Sequence, residues 1–264
     1  MFTKIGFIGT GNMGSAIAAA VAGQGRELLL ANRSPEKAQA LAGTVGGRVV
    51  KNPECAGESQ LLFLCVKPQM MEGMLEGIAP ILRARDDRFV LVTMAAGLSC
   101  EHIRGMVGGD YPVIRMMPNT PCAIGAGVVQ YCGLGVSEEE LDEFAQLLKP
   151  AGLIDRVDEH LIDAASAVSG CGPAFAYLFM EALADGAVAC GLPRAKAMAY
   201  AAQMVEGSAR MVLESGKHPG VLKDAVCSPG GTTIQGVRAL EEGGFRAAAM
   251  NAVIAAYEKT LQLK

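Results

Sequence analysis

Ile5-Gly6-Phe7-Ile8-Gly9-Thr10-Gly11-Asn12-Met13-Gly14 places a G-x-G-x-x-G directly behind an apolar run and at the head of a helix-like segment. The first glycine permits a tight turn, the second lets backbone approach a pyrophosphate, and the third lets helix pack closely on strand. The helix that follows turns its unpaired N–H groups toward phosphate oxygens. In a chain with 33 glycines such a motif alone is weak. Its strand–turn–helix setting at the head of an α/β pattern makes dinucleotide binding the better reading.

Outward from this motif, Lys4–Ile8, Glu27–Ala31, Leu61–Val66, Phe89–Met94 and Val113–Met116 read as strands, with a shorter one at Arg48–Val50. Most are apolar on both faces and are separated by helical spacing, the pattern of a parallel sheet covered on both sides. Val128–Cys132 and Gly152–Val157 continue the strand pattern. Between them lies a helix from Ser137 to Leu148, opened by a capping hydroxyl and three glutamates. From about Asp158 the strands stop, and Ala-, Met- and Leu-rich segments punctuated by Pro173, Pro193, Pro219 and Pro229 run to the end. The expected architecture is α/β: a Rossmann-type parallel-sheet domain over residues 1–157, then an all-helical domain over 158–264.

At the end of the second strand stands Asn32-Arg33-Ser34-Pro35-Glu36-Lys37, where an NAD-preferring site would carry an acid. Without that carboxylate a 2′-phosphate is not repelled. Arg33 offers a planar fork and Lys37 a second cation one turn on, beside the N-terminus that Ser34 and Pro35 begin. NADP(H) is therefore favoured over NAD(H). Val66-Lys67-Pro68-Gln69, Met94-Ala95-Ala96-Gly97 and the loop from Met117 to Pro121 follow other strands, at the edge where α/β sheets bind ligands. Asn119 in the last could hydrogen-bond a carboxamide.

Composition narrows the field further. Of 264 residues, 51% are hydrophobic, enough for a substantial core, and that argues against disorder. A net charge of -4 with a pI near 5.5 speaks against a nucleic-acid binder. Mean hydropathy is +0.29, yet no apolar run reaches the length of a spanning helix, and the start lacks a signal-peptide pattern. Eight cysteines without a C-x-x-C and three scattered histidines show no clustered ligands, so no metal site is expected. Apolar flanks around Cys65 and Cys190 suit a reducing, cytoplasmic setting.

These motifs together resemble pyrroline-5-carboxylate reductase, over essentially the whole chain. The matching segments include Phe7–Gly14, Val66–Gln69, Met94–Gly97, Met117–Pro121 and Ser169-Gly170-Cys171-Gly172-Pro173-Ala174-Phe175. The most specific is Ser228-Pro229-Gly230-Gly231-Thr232-Thr233-Ile234, which continues through Gly243-Gly244-Phe245-Arg246. Cys171 and Phe175 stand where many members have Ser and Tyr, and Gly216 stands where some carry an acid. The resemblance implies NADPH-dependent reduction of 1-pyrroline-5-carboxylate to L-proline, with NADH a weaker donor. It also implies a homodimer, with a higher homo-oligomer as an extension, and neither a nucleic-acid nor a membrane partner.

With it goes a residue set. Ile8, Gly9, Thr10, Gly11, Asn12, Met13, Asn32, Arg33, Ser34, Lys37, Asn52, Val66, Lys67, Pro68, Met94, Ala95, Ala96 and Asn119 are expected to bind cofactor. Ser228, Gly230, Gly231, Thr232 and Thr233 are expected to bind substrate, with Thr233 presenting its hydroxyl to the ring nitrogen in a loop ahead of a helix at Ile234–Glu241. A β-hydroxyacid dehydrogenase would want a lysine base in the first long helix after the sheet. No lysine lies between Lys149 and Lys196. A non-catalytic NADP-binding sensor would leave the Ser228–Thr233 loop unexplained. Long apolar stretches at Ala164–Val168, Ala174–Met180, Ala195–Val205 and Ala247–Ala256 exceed what about a hundred helical residues can hide, which points to a second subunit.

Overall fold

Runs rich in Ile, Leu, Val and Phe form most strands of the computed structural model, which describes residues 1–263. They are β1 (Lys4–Ile8), β2 (Glu27–Ala31), β3 (Arg48–Val49), β4 (Leu61–Leu64), β5 (Val90–Thr93), β6 (Val113–Pro118), β7 (Gly127–Leu134) and β8 (Gly152–Arg156). They join one sheet in the order β3-β2-β1-β4-β5-β6-β7-β8. The first six are parallel, with Ile5 beside Leu28 on one side and Leu61 on the other. Strand order reverses at β1 and β4, so the ends of these two strands open a crevice where ligands bind in such sheets.

β7 departs from the parallel expectation and runs antiparallel to β6. Only residues 119–126 join the two, too few for the dozen or more that a parallel crossover needs. β8 then pairs parallel to β7.

Helices α1 (Asn12–Val21), α2 (Pro35–Val45), α3 (Asn52–Glu58), α4 (Met71–Arg83), α5 (Cys100–Val107), α6 (Glu138–Leu148) and α7 (Glu159–Ser169) accompany the sheet. The strand pleat sends alternate side chains to opposite faces. Ile5, Phe7, Leu61, Phe63, Val90 and Val92 meet one set of helices, while Ile8, Leu62, Leu64 and Leu91 meet the other. Phe7 stacks on Phe63 at 4.7 Å between ring centres, and Phe63 on Phe144 of α6 at 6.2 Å. Ser137 and Glu140 cap α6 reciprocally, as that segment's opening residues led one to expect.

The remaining helices are α8 (Gly172–Ala189), α9 (Arg194–Ser215), α10 (Pro219–Ala225), α11 (Thr232–Glu242) and α12 (Phe245–Leu261). By packing, the chain divides into a sheet unit, Met1–Cys171 with the C-terminal end from Ala256, and a helical unit, Gly172–Ala255. The change from strands to helices falls at 157/158, but α7 stays with the sheet unit: its Ile162 is buried in the sheet's core, and its Asp163 pairs with the buried Arg115 of β6. Within the helical unit α8 packs along α9, and Phe179 meets Phe245 at 5.6 Å.

One stretch corrects the reading of the apolar runs. Glu159–Ala189 is long and apolar enough to cross a bilayer by length and composition alone. It consists of α7 and α8 in succession, and the break at Gly170–Cys171 hides that length from a search for unbroken runs. The acids Glu159 and Asp163 of its first part are engaged with Arg115.

Candidate active site

The glycine loop leaves β1 with Gly9 at φ +106°, and a Cβ there would stand 2.6 Å from the Cys65 carbonyl oxygen. A Cβ on Gly14 would meet the Gly9 carbonyl at 2.2 Å. These two glycines therefore serve the packing of strand, turn and helix. Gly11 differs: a Cβ there would meet nothing within 4 Å. The chain itself makes no steric demand for glycine at that position, whereas a close-lying ligand would.

Asn32 braces this loop. Its Oδ1 accepts from the Thr10 N–H at 3.1 Å, and its Nδ2 donates to the Ser34 carbonyl at 3.0 Å, tying the turns after β1 and β2 together. The buried Thr10 hydroxyl has no partner among the described residues, a polar group the fold leaves open beside the loop. Ser34 caps α2 by position, but its hydroxyl accepts no capping bond and stays available.

A cleft of about 730 Å³ gathers much of the expected cofactor set: Ile8, Gly9, Gly11, Asn32, Arg33, Ser34, Lys37, Asn52, Val66 and Lys67. Arg33 and Lys37 face it without an ion pair among the described residues. A charge-rich, glycine-lined cradle with an open hydroxyl and three cations without an ion pair, Arg33, Lys37 and Lys67, fits a phosphorylated dinucleotide. Gln69, at the end of the Val66–Gln69 segment, also lines it, as do Cys65, Met70, Gly73 and Met74, which the sequence reading did not single out. The spacing 69, 70, 73, 74 is one helical face leading into α4, a signal that was there to find. Desolvation, with a smaller contribution from Cys55, raises the Cys65 thiol above its ordinary range, so it presents a neutral wall.

Thr10, Asn12, Met13, Pro68, Met94, Ala95, Ala96 and Asn119 do not line this cleft. The Ala95 N–H is held by Thr93 Oγ1 at 3.3 Å, which tightens the turn after β5. Asn119 has a bracing role of its own. Its Nδ2 donates to the Ser169 carbonyl at 2.9 Å, and its Oδ1 accepts the Val128 N–H at 2.9 Å. Asn119 thus ties the end of β6 to α7 and β7, and its Nδ2 keeps a second N–H beyond the bond to Ser169.

In the helical unit, Ser228-Pro229-Gly230-Gly231 forms a turn closed by the Gly231 N–H on the Ser228 carbonyl at 3.0 Å, with Gly230 at φ +68°. Proline second and a positive-φ glycine third are the residues such a turn demands. A Cβ on Gly231 would strike Ser228 Oγ at 2.3 Å. α11 begins at Thr232, two residues earlier than expected, so Thr232 and Thr233 belong to its first turn. Gly231 brings no capping side chain, which leaves the first N–H groups of α11 free for an anion beside the exposed Thr233 hydroxyl.

A family model described as pyrroline-5-carboxylate reductase dimerisation matches residues 159–263, and one described as NADP oxidoreductase coenzyme F420-dependent matches residues 4–97. The pyrroline-5-carboxylate reductase of Escherichia coli (strain K12) is 40% identical over 269 aligned residues, covering 100% of this chain and 99% of its own. The chain belongs to the pyrroline-5-carboxylate reductase family. The Arabidopsis thaliana reductase is 41% identical, over 98% of this chain and 95% of its own. A solved Plasmodium falciparum pyrroline carboxylate reductase with NADP bound superposes with a TM-score of 0.88 at 33% identity, covering 99% and 98% of the two chains.

As a member of this family the protein is an NAD(P)H-dependent oxidoreductase acting on CH–NH groups, and it reduces 1-pyrroline-5-carboxylate to L-proline. Its helical region is the family's dimerisation domain, and the protein is a homo-oligomer. Similarity over nearly the full length to named pyrroline-5-carboxylate reductases, at 40% and 41% identity, does not favour the dehydrogenase and sensor alternatives.

Proposed function

We propose that the roles within this reductase divide as the sequence suggests, residues 1–157 holding the nucleotide and residues 158–264 the substrate and the partner subunit. Gly9 and Gly11 accommodate the pyrophosphate by backbone approach, and Arg33, Ser34 and Lys37 hold the 2′-phosphate, which makes NADPH the preferred donor. The observation that carries this is a cleft lined by Arg33, Lys37 and Lys67 without a carboxylate, beside a Gly11 that nothing in the chain crowds. NADPH, when bound, supplies the hydride.

The free N–H groups of α11 and the Ser228–Gly231 turn receive the substrate carboxylate, and the Thr233 hydroxyl contacts the ring nitrogen. No general base is required, because a protonated imine already carries the proton that the product amine keeps. Thr233 therefore orients and polarises without abstracting a proton. The protein works as a homodimer in the cytoplasm, and pairing of the helical units helps complete the substrate site. Loss of the NADPH absorbance band on adding 1-pyrroline-5-carboxylate, repeated with NADH, tests the reading. A higher kcat/KM with NADH would overturn the phosphate assignment.

A further inference from the structure

Among the described residues, one trio of metal-ligating side chains lies away from the cofactor cleft: Cys100, Cys132 and Glu159, whose ligating atoms all fall within 4.8 Å of one another. The sequence shows no cluster because its members sit 32 and 27 positions apart. The fold gathers them from the first residue of α5, the middle of β7 and the first residue of α7. Both cysteines are buried, and Glu159 is half-buried. We propose that Cys100, Cys132 and Glu159 form a binding site for a thiophilic divalent cation of the zinc type, joining α5, β7 and α7.

Two sulfurs and one carboxylate are a zinc-type donor set, soft enough to exclude magnesium and calcium. The Cys100 N–H donates to Glu159 Oε1 at 2.8 Å, fixing the carboxylate, and Arg115 stands 3.8 Å from the same oxygen. The two thiols interact with each other and Cys100 also with Glu159, so the three groups already face one another, and the only contact of Cys100 Sγ to a backbone carbonyl among the described residues is a weak one to Val113 at 3.8 Å.

The charges also close. Two thiolates and a carboxylate around a divalent ion leave one negative charge, while Arg115 is balanced by Asp163. Two helix N-termini, each worth roughly half a positive charge, meet at the site and offset that remainder. Binding forms two sulfur–metal bonds and one oxygen–metal bond, releases the two thiol protons to solvent and changes no oxidation state.

The test loads the reduced full-length protein with zinc, removes excess by gel filtration and measures metal by mass spectrometry. Retention of about one ion per chain, with about two protons released, and its loss in the C100S/C132S double variant are expected. Cobalt loading should give a thiolate-to-cobalt charge-transfer band that the double variant lacks. Should that variant fail to fold, Glu159→Gln keeps both thiols and should weaken zinc binding about tenfold or more. Equal zinc in wild type and double variant, unchanged affinity in Glu159→Gln, or thiols that pair as a disulfide while the reduced chain retains no metal would overturn the site.

Discussion

The sheet unit and the helical unit are both rich in apolar residues, but they dispose of them differently. In the sheet unit Ile5, Phe7, Leu29, Leu61, Phe63, Val92 and Phe144 are sealed from water on two faces. In the helical unit only Ala184, Ala197 and Ala201 are buried, while Leu178 is 68% exposed, Leu213 80% and Met250 64%. A sheet flanked by helices closes over its own core. Helices apolar nearly all round cannot, and their outer faces wait for another copy of the chain. The same hydrophobicity is thus spent on a core in one unit and on assembly in the other.

That contrast can be broken in order of expected effect. Phe63→Ala, which empties the middle of the Phe7–Phe63–Phe144 stack, should cost about 4 kcal/mol of stability. If the sheet core is self-contained, the loss in urea midpoint will be the same at low and high protein concentration. Leu178→Arg should instead act through concentration, raising the subunit dissociation constant about 100-fold, or about 3 kcal/mol, in sedimentation equilibrium. An unchanged assembly would show that this face of α8 is not where the subunits meet.

Smaller changes sharpen the contrast at the level of chemistry. Arg33→Ala should raise KM for NADPH about tenfold while leaving NADH nearly untouched, and equal losses with both cofactors would remove the phosphate contact. Thr233→Ala should lower kcat/KM for 1-pyrroline-5-carboxylate about fivefold, or about 1 kcal/mol, with NADPH affinity unchanged in equilibrium titration. The smallest effect belongs to Glu140, whose carboxyl is held below its ordinary range chiefly by its hydrogen bond to Arg88. That contribution, about 0.5 kcal/mol, is present above the unfolded value near pH ~4.3 and is lost as pH falls through the depressed folded value. Wild type and Glu140→Gln should therefore converge in stability in acid, and a gap that persists there would exclude this pair as its cause.

What could be read from the sequence was whatever is local. Strands announced themselves by continuous apolar runs, the glycine loop by its place behind one of them, and the capping of α6 by Ser137 and Glu140. The Ser228–Gly231 turn was also visible, but the exact start of α11 was not, since Thr232 and Thr233 fit a loop or a first turn equally well. Direction of β7 was legible in principle from the short link after β6. The partners of Asn119 in α7 and β7 were not legible, because an amide in a loop advertises hydrogen bonding without saying to whom. The meeting of Cys100, Cys132 and Glu159, like the buried pairing of Arg115 with Asp163, depends on register across the sheet and on where α7 is laid, and neither is written in any short stretch.

The reversal of β7 decides where the chain leaves the sheet. β8 runs alongside β7, so it travels away from the ends of β1 and β4, and α7 has to turn back from it. Eleven residues at about 1.5 Å each give α7 a reach of roughly 16 Å. That suffices to carry Ser169 to Asn119, just beyond the end of β6. Had β7 continued parallel, the same helix would have finished at the opposite rim. One shortened link thus works as a steering device: it fixes the exit of the polypeptide at the rim that carries the glycine loop, and Asn119 is the rivet that keeps it there.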